Sequence, residues 1–286
     1  MPPLLRLLRP GNVVLSFVAV AVGGVLSAGA AAFAPGQRLA LGLAMAAAAA
    51  VGSGANALND ALDIQIDRIN RPDRPVASGA VSVGTARRVG WALSVAGVVA
   101  AMLVGPVLGA IAAASVALLA VYNRWLKGTA GLGNLAVALV IAAAPLLGAL
   151  AVGPVTAAVV AAVGLTFLVT LAREVAKDVE DAVGDAAGGA RTLAVRWGER
   201  RASAVALAVV GMTLALAPVP AFTGVGRAFL AYVLGAAVCL LVAGWALGLG
   251  ALGRPAESRL AARRARAWLK ASMVAGVVAL LVAGLG

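Results

Sequence analysis

The chain has 286 residues, of which 63% are hydrophobic and only 12% charged, with a mean hydropathy of +1.02 and a net charge of +12. Soluble domains average about 25% charged residues, and a fold this apolar could not cover its own surface with polar groups. A soluble enzyme, a disulfide scaffold and a disordered chain are therefore excluded. The absence of histidine and the single cysteine, Cys239, exclude histidine chemistry and thiolate metal clusters within one chain.

Apolar runs predict nine membrane spans over residues 12–34, 38–58, 88–106, 107–123, 131–151, 153–173, 201–220, 228–250 and 267–286. Pro and Gly punctuate the short turns, as at Pro35-Gly36, Gly105-Pro106 and Gly153-Pro154. The first run is about 22 residues long, beyond the h-region of an ordinary signal peptide, so it is expected to be the first membrane helix. The fold class expected is all-α, a single domain over residues 1–286 with polar loops or short helices capping one end.

The polar connections alternate in character. Four long ones, 59–87, 124–130, 174–200 and 251–266, fall on one side of the membrane. With the N-terminus inside, all 11 acidic residues and every Lys and Arg except Arg38 and Arg227 lie on that side. The positive-inside rule then orients the chain with its N-terminus in the cytoplasm and its C-terminus outside, in the cell membrane. The positive charge reads as topology and as attraction for anionic lipid heads and substrates, and nucleic acid is not expected as a partner. The basic run Arg259, Arg263, Arg264, Arg266 and Lys270 is expected on the last of these loops, as a headgroup collar.

Two of the connections carry acidic stripes. In the first, Asn59, Asp63 and Asp67 are spaced four apart and would share one helical face, with Asp60 one step round and Asn56 one turn earlier. In the second, Glu174, Asp178, Asp181 and Asp185 share a face in the same way. Basic residues follow each stripe: Arg68, Arg71 and Arg74 after the first, Arg191 and Arg196 after the second. Carboxylates in a row repel one another unless a cation sits among them, and oxygen-only donors suit Mg²⁺, Mn²⁺ or Ca²⁺. A metal-bridged diphosphate meets that requirement, with Arg and Lys neutralising the remaining charge. A cation-coupled transporter would instead place such groups near the bilayer midplane, on broken helices with repeat symmetry. The acids here lie at the span ends.

N-D-x-x-D-x-x-x-D from Asn59, followed by Asn70-Arg71-Pro72-Asp73-Arg74-Pro75, resembles the first signature of the UbiA superfamily of intramembrane prenyltransferases. Glu180-Asp181-Ala182-Val183-Gly184-Asp185 with Arg191-Thr192-Leu193 resembles the second, and Arg6-x-x-Arg9-Pro10-x-Asn12 and Tyr122-Asn123-Arg124-Trp125-Leu126-Lys127 resemble flanking segments. The resemblance implies Mg²⁺-dependent transfer of a prenyl group from a prenyl diphosphate to a lipophilic acceptor, at the cytoplasmic mouth of a cavity among the helices. It places metal binding on Asn59, Asp63, Asp67, Asp181 and Asp185, and diphosphate binding on Arg74, Lys127, Arg68, Lys177 and Arg191. Asn56, Asp60 and Asp178 would support these, Asn134 could face the cavity, and Arg6 and Arg9 would bind the acceptor. Arg173-Glu174-x-x-Lys177-Asp178 and Asn70-Arg71-Pro72-Asp73-Arg74-Pro75 most resemble the branch of the family whose acceptor is geranylgeranylglyceryl phosphate. The alternative acceptor is an aromatic or quinoid ring such as 4-hydroxybenzoate. No obligate protein partner is evident.

Overall fold

The structure is a computed structural model that describes residues 1–223, 226 and 229–285. Twelve α-helices follow one another: α1 (Pro3–Leu8), α2 (Pro10–Ala28), α3 (Arg38–Leu62), α4 (Ile64–Asn70), α5 (Val83–Val104), α6 (Pro106–Val121), α7 (Leu132–Val152), α8 (Ala157–Ala187), α9 (Leu193–Trp197), α10 (Glu199–Leu216), α11 (Phe229–Leu252) and α12 (Pro255–Leu285). Among the described residues, nine helices are long and apolar enough to cross a membrane, matching the nine expected. The large apolar side chains left outside, such as Leu39, Trp91, Leu103, Val160 and Trp245, are what lipid would cover. Arg227, expected on the outer side, lies outside the described residues, as do the expected span ends Ala228 and Gly286.

Local sequence sets the helix ends. Pro3, Pro10 and Pro106 occupy the first turn of α1, α2 and α6, where a missing N–H costs nothing. Ser82 and Thr156 cap α5 and α8, accepting hydrogen bonds from Thr85 N and Val159 N at 3.1 and 3.3 Å.

Two elements differ from the sequence expectation. Helix α8 runs unbroken to Ala187, so the second acidic stretch continues a membrane helix instead of forming a loop from 174. Its apolar positions Ala172, Val175, Ala176, Val179 and Ala182 keep the helical period beyond the span and stay buried. At 1.5 Å per residue the helix is roughly 46 Å long, against a hydrocarbon core of about 30 Å. Likewise α12 begins at Pro255, so the basic run expected on a loop lies on a helix, where Ala261, Ala262, Ala265 and Leu269 continue the buried face.

The chain forms two compact units, Met1–Arg124 with Ala144–Pro154, and Trp125–Ala143 with Val155–Gly286. In the first, α2, α3, α5, α6 and the end of α7 share a core of Val20, Leu41, Ala44, Ala47, Ala101, Leu108 and Leu147. Small residues let the backbones touch. A Cβ on Gly23 would lie 1.7 Å from the Pro145 carbonyl oxygen, and one on Gly148 would lie 1.8 Å from that of Val20. Gly54 and Gly97 press α3 on α5 similarly: a Cβ on Gly54 would lie 2.6 Å from the Gly90 carbonyl oxygen, and one on Gly97 would lie 2.9 Å from that of Ala47. A satellite core of Leu7, Ala57, Ala61, Val76, Val81 and Ala86 fastens α1 and the loop after α4 to the end of α3. The second unit packs α8, α9, α10, α11 and α12 around Val175, Val179, Val210, Leu247 and Leu269.

Gly148→Val should lower the melting temperature in detergent by the equivalent of about 3 kcal/mol or more, because a backbone carbonyl cannot step aside as a side chain can. Gly42→Ala, where nothing lies within 4 Å, should melt with the parent. Thermal unfolding of the two variants checks the contact.

Candidate active site

The first acidic group is built at the end of α3. Helical geometry breaks at Asp63 (φ −93°, ψ 11°), yet the backbone bonding does not. Asp63 N donates to Asn59 O at 2.9 Å, Asp67 N to Asp63 O at 2.8 Å and Arg71 N to Asp67 O at 2.7 Å. The stripe expected on one face therefore survives the break, with Asp60, Asp63 and Asp67 buried and Asn56 and Asn59 half-buried.

Two arginines close on these acids. Arg74 Nη1 lies 2.7 Å from both carboxylate oxygens of Asp67 and 3.4 Å from Asp60 Oδ1. Arg9 donates from Nη1 to Asn56 Oδ1 at 3.1 Å and from Nη2 to Asp60 Oδ1. Asp60, expected as a supporting residue, is thus the shared acceptor of the group. Arg9 is the only non-glycine residue with positive φ (54°) among the described residues, and it stands at the joint of α1 and α2. A left-handed backbone costs an L-residue roughly 1–2 kcal/mol, and here it coincides with the two hydrogen bonds that Arg9 makes. Burial pushes the Asp67 carboxyl up, against the opposing pull of Arg74. Burial also lowers Arg9, helped by the neighbouring Arg74 charge and opposed by Asp60. Arg6, which the sequence paired with Arg9, bonds the Asp73 carbonyl and is exposed. Arg68 points to solvent.

The second group lies on the last turns of α8. Glu174, Asp181 and Asp185 are buried. Asp178 Oδ2 accepts a 3.0 Å hydrogen bond from Asn134 Nδ2 of α7, so the asparagine expected to face a cavity orients a carboxylate. Glu174 accepts from Arg173 at 2.9 Å and has Lys177 Nζ at 3.6 Å. Past α8, Arg191 N donates to Gly128 O at 2.8 Å. That bond fastens the turn after α8 to the loop bearing Lys127, whose charge acts on Asp185. The Arg191 side chain itself is exposed.

No three acids among the described residues form a ready-made metal cage. Each group instead offers a pair of buried carboxylates four residues apart, Asp63 with Asp67 and Asp181 with Asp185. That donor set fits Mg²⁺, which keeps several waters and takes one or two carboxylates together with substrate phosphate oxygens. The sequence did not disclose the arginine clasp on Asp60 or the Asn134–Asp178 bond. The one available signal was Arg9-Pro10, a proline that starts a helix and so fixes where the preceding arginine sits.

Comparison with known proteins bears on the family and the fold. The model of the UbiA prenyltransferase family matches residues 15–268. Digeranylgeranylglyceryl phosphate synthase of Natronomonas pharaonis is 38% identical over 284 residues, covering 98% of this chain and 95% of its own. The synthase of Ignicoccus hospitalis is 37% identical over 270 residues, covering 91% and 87%. A solved structure of digeranylgeranylglyceryl phosphate synthase, from work on the enzyme in membranes, superposes with a TM-score of 0.74 at 26% identity, over 99% of this chain and 98% of its own. A UbiA homologue from Archaeoglobus fulgidus bound to GPP and Mg²⁺ shares the fold, with a TM-score of 0.64 at 16% identity over 96% of this chain and 99% of its own. The chain therefore belongs to the UbiA prenyltransferase family, as a multi-pass membrane prenyltransferase similar to the digeranylgeranylglyceryl phosphate synthases.

Proposed function

We propose that the protein transfers a geranylgeranyl group from geranylgeranyl diphosphate to geranylgeranylglyceryl phosphate, in a Mg²⁺-dependent reaction. The observation that carries this reading is the pair of buried carboxylate groups, each with cations beside it. The relatives named as synthases of digeranylgeranylglyceryl phosphate support the acceptor, and the GPP and Mg²⁺ bound to the Archaeoglobus homologue support the donor and the metal.

Asn59, Asp63 and Asp67 in one unit, and Asp181 and Asp185 in the other, are the proposed Mg²⁺ ligands. Bound Mg²⁺ neutralises the diphosphate and makes it a better leaving group. Lys127, Lys177 and Arg74 pair with diphosphate oxygens, with Arg68 and Arg191 at the solvent rim. Arg74 has two roles in sequence. Without substrate it neutralises Asp67, and with a diphosphate present its guanidinium turns to the phosphate, which frees Asp67 so that it would help hold Mg²⁺. Asp60 and Arg9 hold the stripe in place through the change. Asn134 keeps Asp178 oriented beside the second pair. The allylic C–O bond then breaks with its electron pair leaving on the diphosphate, the acceptor hydroxyl oxygen attacks the allylic carbon, and the hydroxyl proton passes to the released diphosphate. The acidic ends of α3 and α8 are assigned to the cytoplasmic face of the cell membrane, from the distribution of Lys and Arg.

Product mass spectrometry with geranylgeranyl diphosphate, Mg²⁺ and geranylgeranylglyceryl phosphate tests the reading. Digeranylgeranylglyceryl phosphate is the expected product, and prenylation of 4-hydroxybenzoate alone would overturn it. Asp63→Asn and Asp181→Asn should each lower kcat at least about 100-fold with an unchanged melting temperature. Full turnover of the parent in EDTA would contradict a metal role for both.

Arg74→Gln should raise KM for the prenyl diphosphate roughly tenfold or more, through loss of a charge-assisted hydrogen bond. The same variant should bind Mn²⁺ more tightly than the parent in the absence of diphosphate, as read by electron paramagnetic resonance, because Asp67 is then unclasped.

Orientation is checked in a Cys239→Ala background. Single cysteines at Asp73, Gly188 and Glu257 should react with an impermeant maleimide only from the cytoplasmic side.

A further inference from the structure

Four cations meet where α8 packs on α12: Arg173 and Lys177 four residues apart on one helix, Arg266 and Lys270 four apart on the other. They share two carboxylates. Glu174 takes Arg173 at 2.9 Å and Lys177 at 3.6 Å, while Glu180 takes Arg266 at 3.1 Å. Lys270 is half-buried, and among the described residues no carboxylate pairs with it. The charged groups acting on it are the guanidiniums of Arg173 and Arg266. A half-buried ammonium with only cations for charged neighbours is costly unless an anion joins it.

The position says what kind of anion. Counted from Ala157 and Leu285, the opposite ends of the two helices, Arg173 and Lys270 lie about 24 and 22 Å along their axes. Both depths stop about 6–8 Å inside the far boundary of a hydrocarbon core about 30 Å thick, a gap that long Arg and Lys side chains span as they reach toward lipid phosphates. With Lys177 given to the diphosphate, Arg173, Arg266 and Lys270 against Glu174 and Glu180 leave one positive charge, which a phosphate monoester of roughly −1.5 to −2 at neutral pH answers in sign. On α8, Arg173 lies about 12 Å by helical rise from Asp181, toward the middle of the helix. A phosphate held there is kept off the metal-binding carboxylates, where a second anion would compete with the diphosphate.

We propose that Lys270, with Arg173 and Arg266, forms a subsite for the phosphate head of the lipid acceptor, separate from the diphosphate-binding cations. The subsite deepens the acceptor assignment above and rests on it.

The experiment compares the full-length parent, Lys270→Gln and Lys270→Arg in detergent, in two arms. The first measures binding of dioctanoyl phosphatidic acid by native mass spectrometry, with dioctanoyl phosphatidylcholine and inorganic phosphate as competitors. Lys270→Gln should bind phosphatidic acid at least about tenfold more weakly, Lys270→Arg should bind it as the parent does, and neither competitor should displace it. Equal binding by all three proteins overturns the subsite, and displacement by inorganic phosphate at equal concentration overturns its lipid character. The second arm measures KM. In Lys270→Gln, KM for geranylgeranylglyceryl phosphate should rise about tenfold while KM for geranylgeranyl diphosphate stays unchanged. A loss of phosphatidic acid binding with no change in acceptor KM makes this a site for a resident lipid and overturns its assignment to the acceptor. A parent that prenylates no phosphate lipid at all refutes the acceptor assignment, and the first arm still decides the subsite.

Discussion

Burying a carboxylate is costly unless a cation comes with it, and this protein buries six at the polar ends of two membrane helices: Asp60, Asp63, Asp67, Glu174, Asp181 and Asp185. Much of the surrounding sequence answers that constraint. The break between α1 and α2 and the loop after α4 each bring an arginine to these acids, and the turn after α8 is bonded to the loop bearing Lys127. The loop bearing Arg74 is itself fastened by the small core of Leu7, Ala57, Val76 and Val81. An arginine that clasps an acid from a secured loop supplies that acid with its counter-charge from a fixed position.

The two units meet the constraint differently. In the first, arginines hold Asp60 and Asp67 directly. In the second, Asp178 is held by a neutral amide, and the ion pairs sit on the neighbouring Glu174 and Glu180. Ion pairs also fasten α12 to the rest of its unit, through Arg259 with Glu199 at 2.7 Å and Arg266 with Glu180 at 3.1 Å. A basic run that serves topology on a loop thus acts, once helical, as a set of cross-links. Buried pairs of this kind add little net stability against apolar packing but penalise misplacement strongly.

Much of this was legible in the sequence. Long apolar runs without charge can only be spans, and acids four apart can only share a face if the segment is helical. Both inferences depend on local periodicity, which the chain displays directly. Where the helices end was less legible. Nothing between Arg173 and Ala187 except Gly184 disfavours a helix, so the turn to polar residues looks like a loop although Val175, Val179 and Ala182 still repeat the buried face. The partners of Arg9, Arg74 and Asn134 lie 51, 7 and 44 residues away along the chain. Only tertiary packing decides such pairs, and many other acids would have been compatible with the sequence.

The contact of Gly23 with Pro145 and of Gly148 with Val20 has a mechanical consequence. Two carbonyl oxygens occupy the positions where two side chains would begin. The backbones of α2 and α7 are therefore keyed together at two points, about a helical turn apart on each strand of the joint. One point would allow sliding or rolling, whereas two set axial register and rotation together. A shift by one residue would drive a neighbouring Cβ into a carbonyl. A bilayer that thickens or thins around the protein cannot be accommodated by slip at this joint, so the surrounding lipid has to adjust instead.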